Sequence, residues 1–383
     1  MSMFLMPPRV YAGEGALEES ADFIAKLGKK ALIVTDRVME KLGNIKKLTD
    51  ALEGAGVDYA VYAEVNAEPT DEIAQAGAEA YKRNSCDFLI AIGGGSPIDT
   101  MKAIGVVAAT GRHINSFLGQ VIEVPLPPTV AIPTTAGTGS EATQFTIISN
   151  TKDDIKMLLR GATLMPGTAI VDPRFTVTAP PAITAATGVD ALTHAIEAYT
   201  SRRANILSDT FALAAVRRVT RYLPAAFDTG ADIQARQQMA IGALEAGIAF
   251  NNASVTIVHG MSRPIGALFH VPHGISNAML LVRCLEFALA GAADRFCDLS
   301  KEVGLYEAGM TEREGGLAFV NAVGDLCAHL RIPTLEEYGI DRGDFFARID
   351  KMTEDALASG SPGNTVRPVK SADIKRLYAE LWS

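Results

Sequence analysis

Cysteine is sparse in this 383-residue chain, and Cys86, Cys284, Cys297 and Cys327 form no CxxC pair. That excludes a disulfide framework and predicts reduced, mostly buried thiols. Long apolar runs are missing too. None reaches the roughly 18 to 20 residues needed to cross a bilayer, although apolar residues make up 48% of the chain. The start, MSMFLMPPRVYAG, lacks the basic n-region and apolar h-region of a signal peptide, so a cytoplasmic protein is expected. Basic charge is not in excess. A net charge of −9 argues against nucleic acid or an anionic membrane as partner and leaves room for a local basic pocket. Histidine is rare as well, with six in all, and three of the six gather in one pattern.

The length points to two or three domains. Up to about residue 172, short apolar runs alternate with amphipathic helical stretches, the signature of βαβ units and a parallel sheet. Strands are expected at 31–36, 57–62, 88–92, 128–132, 143–149 and 168–172, with helices at 15–27, 45–54, 71–84 and 98–109. From about Pro181 the pattern turns helical, at 182–200, 207–225, 231–250, 276–303, 311–330, 342–357 and 371–380. Pro180-Pro181 is therefore the expected boundary between an α/β dinucleotide-binding domain, 1–180, and an all-helical metal-binding domain, 181–383. The apolar start, Met3 to Met6 and Arg9 to Tyr11, could form edge strands that pair between subunits.

Asp190 and His194 are four apart, one turn above each other on a helix, and can reach one ion together. His259 and His273 complete a mixed oxygen and nitrogen set. It suits Fe²⁺, Zn²⁺, Co²⁺ or Ni²⁺ and can leave a position open for substrate. Pro272 should start a helix at His273, and Pro264 should break the helix carrying His259 within a turn or two. His113, His270 and His329 read as structural, with His270 nearest the set in sequence.

Directly after the strand 88–92 comes Gly93-Gly94-Gly95-Ser96-Pro97-Ile98-Asp99. Glycines at a strand exit let the backbone approach an anion, with Ser96 as helix cap and Pro97 as the first helical residue, as at a pyrophosphate site. Taken alone, a plain strand-to-helix connection fits equally well. A second segment, Pro133-Thr134-Thr135-Ala136-Gly137-Thr138-Gly139-Ser140-Glu141, offers hydroxyls and flexible backbone for ribose and phosphate. Asp36, closing a strand, either accepts the adenosine ribose hydroxyls and favours NAD over NADP, or caps the next helix.

These segments, with Ala185 to Tyr199 and with Asn251-Asn252 through His259 to Asn277, resemble the iron-containing (group III) alcohol dehydrogenases, the family of lactaldehyde reductase and 1,3-propanediol dehydrogenase. The similarity runs through the whole chain. It implies a dehydroquinate synthase-like architecture, an N-terminal dinucleotide-binding α/β domain and a helical C-terminal domain, with the active site in the cleft between them. It implies that Asp190, His194, His259 and His273 hold Fe²⁺, or in some members Zn²⁺. It places Lys156 and Asp99 with the NAD(H) loops, and it suggests a homodimer or higher homo-oligomer. The activity implied is NAD(H)-linked interconversion of a small primary alcohol and its aldehyde, or of a secondary alcohol and ketone. A zinc polyol dehydrogenase of the glycerol type and a dehydroquinate-synthase-like lyase are the alternatives, although the lyase should show a dense set of lysines and arginines that these motifs lack. One departure stands out. The family commonly has a second histidine four residues after the ligand at 259, and this chain has Arg263. Arginine cannot relay a proton at neutral pH. It either grips an anionic substrate group or pairs with a buried acid or the cofactor phosphates.

Overall fold

The computed structural model describes residues 3–65, 68–153 and 155–382. The chain divides into two compact units, Met1–Ala179 and Pro180–Ser383.

The first unit runs β1 (Val10–Ala12), α1 (Ala16–Ile24), β2 (Lys30–Val34), α2 (Arg37–Lys41), α3 (Asn44–Gly54), β3 (Asp58–Tyr62), α4 (Asp71–Arg83), β4 (Phe88–Gly93), α5 (Gly95–Thr110), β5 (Thr129–Pro133), β6 (Phe145–Asn150), β7 (Ile155–Arg160) and β8 (Thr168–Val171). Six strands form one sheet in the order β1-β8-β5-β4-β2-β3, all paired in parallel. Residues alternate across it. Leu32, Leu89 and Ala131 pack with Ile98, Met101 and Ile104 on one face, while Ile33, Ile90 and Ile132 pack with Leu17, Leu48 and Leu52 on the other. Sheets covered on both faces are apolar throughout, which is why β4 reads FLIAIG.

The chain leaves β2 toward β3, then crosses back to β4 on the opposite side of β2. That reversal makes a topological switch point, where the carboxyl ends of strands open a crevice for ligands. The segments after β2, β4 and β5 share this edge, because Val34 pairs with Ala91 and Gly93 with Pro133.

Val10–Ala12 is the expected edge strand, paired on one side in parallel with β8 of the same chain. Two expectations for this unit need correction. Met3 to Met6 forms no strand. The expected strand 143–149 is the first arm of an antiparallel hairpin, β6 with β7.

The second unit is helical: α6 (Pro181–Tyr199), α7 (Ile206–Asp228), α8 (Ile233–Ala253), α9 (Ile257–Phe269), α10 (His273–Leu289), α11 (Ala293–Glu302), α12 (Glu312–His329), α13 (Arg342–Ala358) and α14 (Ser371–Glu380). The helix expected over 276–303 is two, divided after Leu289. At Gly291 a Cβ would lie 2.6 Å from the Arg367 Cβ and 2.7 Å from its backbone nitrogen, so a passing segment fixes the break. Nor does Pro264 end α9, which continues to Phe269. Its ring and the following Ile265 are buried, and that packing outweighs the one lost backbone hydrogen bond.

Candidate metal centre and nucleotide loops

Three helices of the second unit bring the expected quartet together. Asp190 and His194 lie one turn apart on α6, His259 sits in the first turn of α9, and His273 opens α10 behind Pro272. One potential ligand atom from each lies within 4.8 Å of all the others. Asp190 Oδ1 is 3.7 Å from both His259 Nε2 and His273 Nε2. The approach of α10 to α6 depends on Gly274, where a Cβ would stand 2.5 Å from the Ala186 carbonyl oxygen. Asp190, His194 and His259 are buried, whereas the His273 side chain is 46% exposed. The cluster therefore opens on the His273 side.

Burial pushes the Asp190 carboxyl up, but His194, His273, His259 and the Asn277 hydrogen bond together hold it below the usual carboxylate range. Burial drives His259 well below its ordinary value, reinforced by His194 and His273. Asp190 thus favours the ionised carboxylate and His259 the neutral imidazole, the states that ligands to a divalent ion need.

Two residues with no assigned role from sequence join the cluster. The Asn277 amide Nδ2 lies 2.7 Å from Asp190 Oδ1 and 3.2 Å from His259 Nε2 and His273 Nε2. Its Oδ1 is buried with no partner among the described residues. Acceptors that converge on one amide hydrogen-bond donor mark a place suited to a cation, so these residues fit a metal ion. Glu197, also on α6, meets His259 Nδ1 through Oε2 at 2.5 Å. Helical spacing was the available signal for both, since Glu197 is three residues beyond His194 and Asn277 four beyond His273.

Arg263, one turn after His259, is half-buried and donates to Ser361 Oγ at 3.2 Å. Among the described residues no carboxylate lies within ion-pair distance of it. Burial lowers its pKa, with Glu197 opposing from further off. The other histidines stand apart from the cluster. His270 takes the left-handed cap of α9 and is exposed. His113 caps a short turn and His329 pairs with Asp228.

In the first unit, Asp36, Gly93 to Gly95 and Thr134 to Thr138 all follow the carboxyl ends of adjacent strands. Gly93 has φ +152°, and a Cβ there would sit 2.5 Å from the Pro97 ring. Thr134 N–H donates to the Gly93 carbonyl at 2.9 Å, and a Cβ on Gly95 would be 3.0 Å from Thr138, so the two loops pack tightly.

Helix α5 starts at Gly95 with Gly94 in the N-cap position. Ser96 is accordingly inside the first turn rather than capping it, because the sharp turn at Gly93 starts the helix early. Asp36 does cap α2, accepting from Val38 and Met39 through Oδ1. Asp99 is turned inward, where Oδ1 accepts from Ser140 Oγ at 2.5 Å and Oδ2 from Ile147 N–H at 2.9 Å. Its two oxygens thus tie α5 to the second loop and to β6. Lys156 lies on the hairpin, half-exposed and paired with Glu68 at 2.9 Å.

Lys102 was not singled out from sequence. Its buried ammonium donates to Ser140 Oγ, Thr143 O, Thr143 Oγ1 and Phe145 O at 2.7 to 3.1 Å, and burial pulls its pKa down to about 8. Nearby Glu141, also buried, is pushed up to about 7.

Comparison with known proteins identifies the lineage. The model of iron-containing alcohol dehydrogenase matches residues 7–173, and that of the Fe-containing alcohol dehydrogenase C-terminal region matches 184–382. The chain belongs to the iron-containing alcohol dehydrogenase family. The NAD-dependent methanol dehydrogenase of Bacillus methanolicus is 36% identical over 94% of this chain and 96% of its own length. The structure of a 1,3-propanediol oxidoreductase superimposes over all of both chains with a TM-score of 0.96 and 34% identity. That of sulfoacetaldehyde reductase from Bifidobacterium kashiwanohense in complex with NAD⁺ covers 100% of this chain and 99% of its own, with TM-score 0.89 and 27% identity. The fold class is that of the family, and the protein is an oxidoreductase of the alcohol–aldehyde kind. The polyol and lyase alternatives gain no support from these relatives.

Proposed function

We propose that the protein reduces a small aldehyde, or oxidises the matching alcohol, with NAD(H) and one divalent metal ion held by Asp190, His194, His259 and His273. The observation that carries this reading is the quartet itself, four donors from three helices within 4.8 Å of one another. When bound, the ion acts as a Lewis acid toward the substrate oxygen while the nicotinamide gives or takes hydride. The donor set accepts Fe²⁺ and Zn²⁺, and the family favours Fe²⁺. The exposed side of His273 is the approach for substrate.

In the first unit, Gly93 to Gly95, Ser96 and the loop with Thr134, Thr135 and Thr138 are suited to a pyrophosphate and ribose, since backbone N–H groups at the start of α5 attract anions. Asp36 spends Oδ1 on its helix cap. Its negative charge still disfavours a 2′-phosphate, which supports NAD(H) over NADP(H).

Arg263 holds its proton and so takes no part in proton exchange. A guanidinium without a neighbouring carboxylate, one turn from a ligand, supports an anion-binding role toward substrate. The relative named for sulfoacetaldehyde, an aldehyde with an anionic group, agrees with that role. The alternative partner for Arg263 is the cofactor phosphate.

The test is anaerobic turnover of metal-stripped protein reloaded with Fe²⁺ or Zn²⁺, using NADH and paired neutral and anionic short aldehydes. Metal-restored NADH oxidation is expected, with anionic aldehydes preferred and the preference lost in Arg263→His. No turnover with either metal would overturn the enzyme reading. An unchanged preference in Arg263→His would overturn only the role of the arginine.

A further inference from the structure

The α6 face that carries Asp190 and His194 also carries Glu197, in the position i, i+4, i+7. Its side chain is buried, with no lysine or arginine within ion-pair distance among the described residues. Its two oxygens are divided between two tasks. Oε1 accepts from Thr256 Oγ1 at 2.6 Å and from the backbone N–H of Val258 at 2.7 Å. Oε2 meets His259 Nδ1 at 2.5 Å.

Thr256 is the N-cap residue of α9 and makes no side-chain cap of its own, because its hydroxyl is spent on Glu197. The carboxylate from α6 thus does the work of a cap for α9, satisfying an orphan N–H at the positive end of the helix dipole. A backbone N–H can only donate, so Oε1 is committed as an acceptor. Oε2 is left for the imidazole of the next residue.

We infer that Glu197 is the positioning residue that makes His259 a metal ligand. By holding the proton on Nδ1, it leaves Nε2 bare and aimed at Asp190 and the other donors. The inference rests on the reading of Asp190, His194, His259 and His273 as ligands. The approach of the Asn277 amide nitrogen to the same Nε2 at 3.2 Å agrees with an acceptor there. A carboxylate behind a ligand imidazole fixes its tautomer and ring orientation and raises its basicity.

Glutamine cannot replace it despite its equal size. Its carbonyl can accept from Val258 or from His259, and its amide then faces the other donor. Either the start of α9 loses its partner or His259 moves its proton to Nε2 and ceases to be a ligand.

The probe is Co²⁺ competed against a chelator, with wild-type protein and Glu197→Gln compared alongside the thermal midpoint of each metal-free form. The expected result is a Kd for Co²⁺ raised by roughly 10- to 100-fold and an altered Co²⁺ visible spectrum, with the metal-free midpoints close together. A Kd within about twofold of wild type would overturn the inference. Failure of the wild type to take up one Co²⁺ would instead overturn the ligand reading and the inference with it. Should the variant not fold, the histidine ¹⁵N spectrum of the metal-free wild type decides. His259 is expected as the Nδ1–H tautomer, and an Nε2–H tautomer would overturn the inference.

Discussion

The two units present their candidate functional groups in opposite ways. In the α/β unit the groups lie on loops at strand ends and consist largely of backbone N–H and hydroxyls, shaped by Gly93 and braced from behind by Lys102 and Asp99. In the helical unit they are side chains rooted in three helices, with Glu197 behind His259 and the Asn277 amide in the midst of the donors. A flexible dinucleotide tolerates a surface made by backbone, whereas an ion bonded at about 2.1 Å needs donors placed by rigid elements. Changes in the first unit should therefore act on coenzyme affinity, and changes in the second on metal content.

The sharpest way to break that division is Asp190→Asn, which removes the only carboxylate of the quartet. Metal content by mass spectrometry should fall from one per chain toward zero and turnover by about a thousandfold or more, while NADH binding by fluorescence stays near wild type. Next comes Lys102→Met, which leaves Asp99 buried without its cation. It should lose about 3 kcal/mol in denaturant unfolding and raise the KM for NADH with metal content unchanged. Gly274→Ala pushes α10 away from α6 and should cost about 1 to 3 kcal/mol, with weaker metal retention as the readout. Asp36→Ala removes a helix cap, a loss of about 1 kcal/mol, and should shift the kcat/KM ratio toward NADPH.

A last effect concerns pH. Glu141 is raised from 4.5 to about 7 when folded. Between those values the native protein keeps a proton that the unfolded chain releases, so its contribution to stability declines as pH rises from 4.5 to 7. Glu141→Gln has no such dependence. The Tm of wild type relative to this variant should be lower at pH 8 than at pH 5, by a few degrees.

The fold class was legible because apolar periodicity changes from short runs to three- and four-residue spacing near Pro181, and the order of motifs carried the family. What escaped was set by distant contacts. The break at Gly291 is imposed by Arg367, 76 residues further on, while the apolar spacing runs on through it. The cap on α5 moved to Gly94 because Gly93 turns against the Pro97 ring. Asp99 and Glu197 were written in plain view within the motifs. Only the packing of Ser140 and Ile147 against one, and of Thr256 and Val258 against the other, shows what each carboxylate holds.

X-ray absorption at the metal edge of anaerobically prepared, iron-loaded protein tests the central claim most directly. The account predicts one ion per chain with three imidazole nitrogens and one carboxylate oxygen in its shell, and the loss of one imidazole in His259→Ala. A shell lacking imidazole, or one unchanged in His259→Ala, would contradict it.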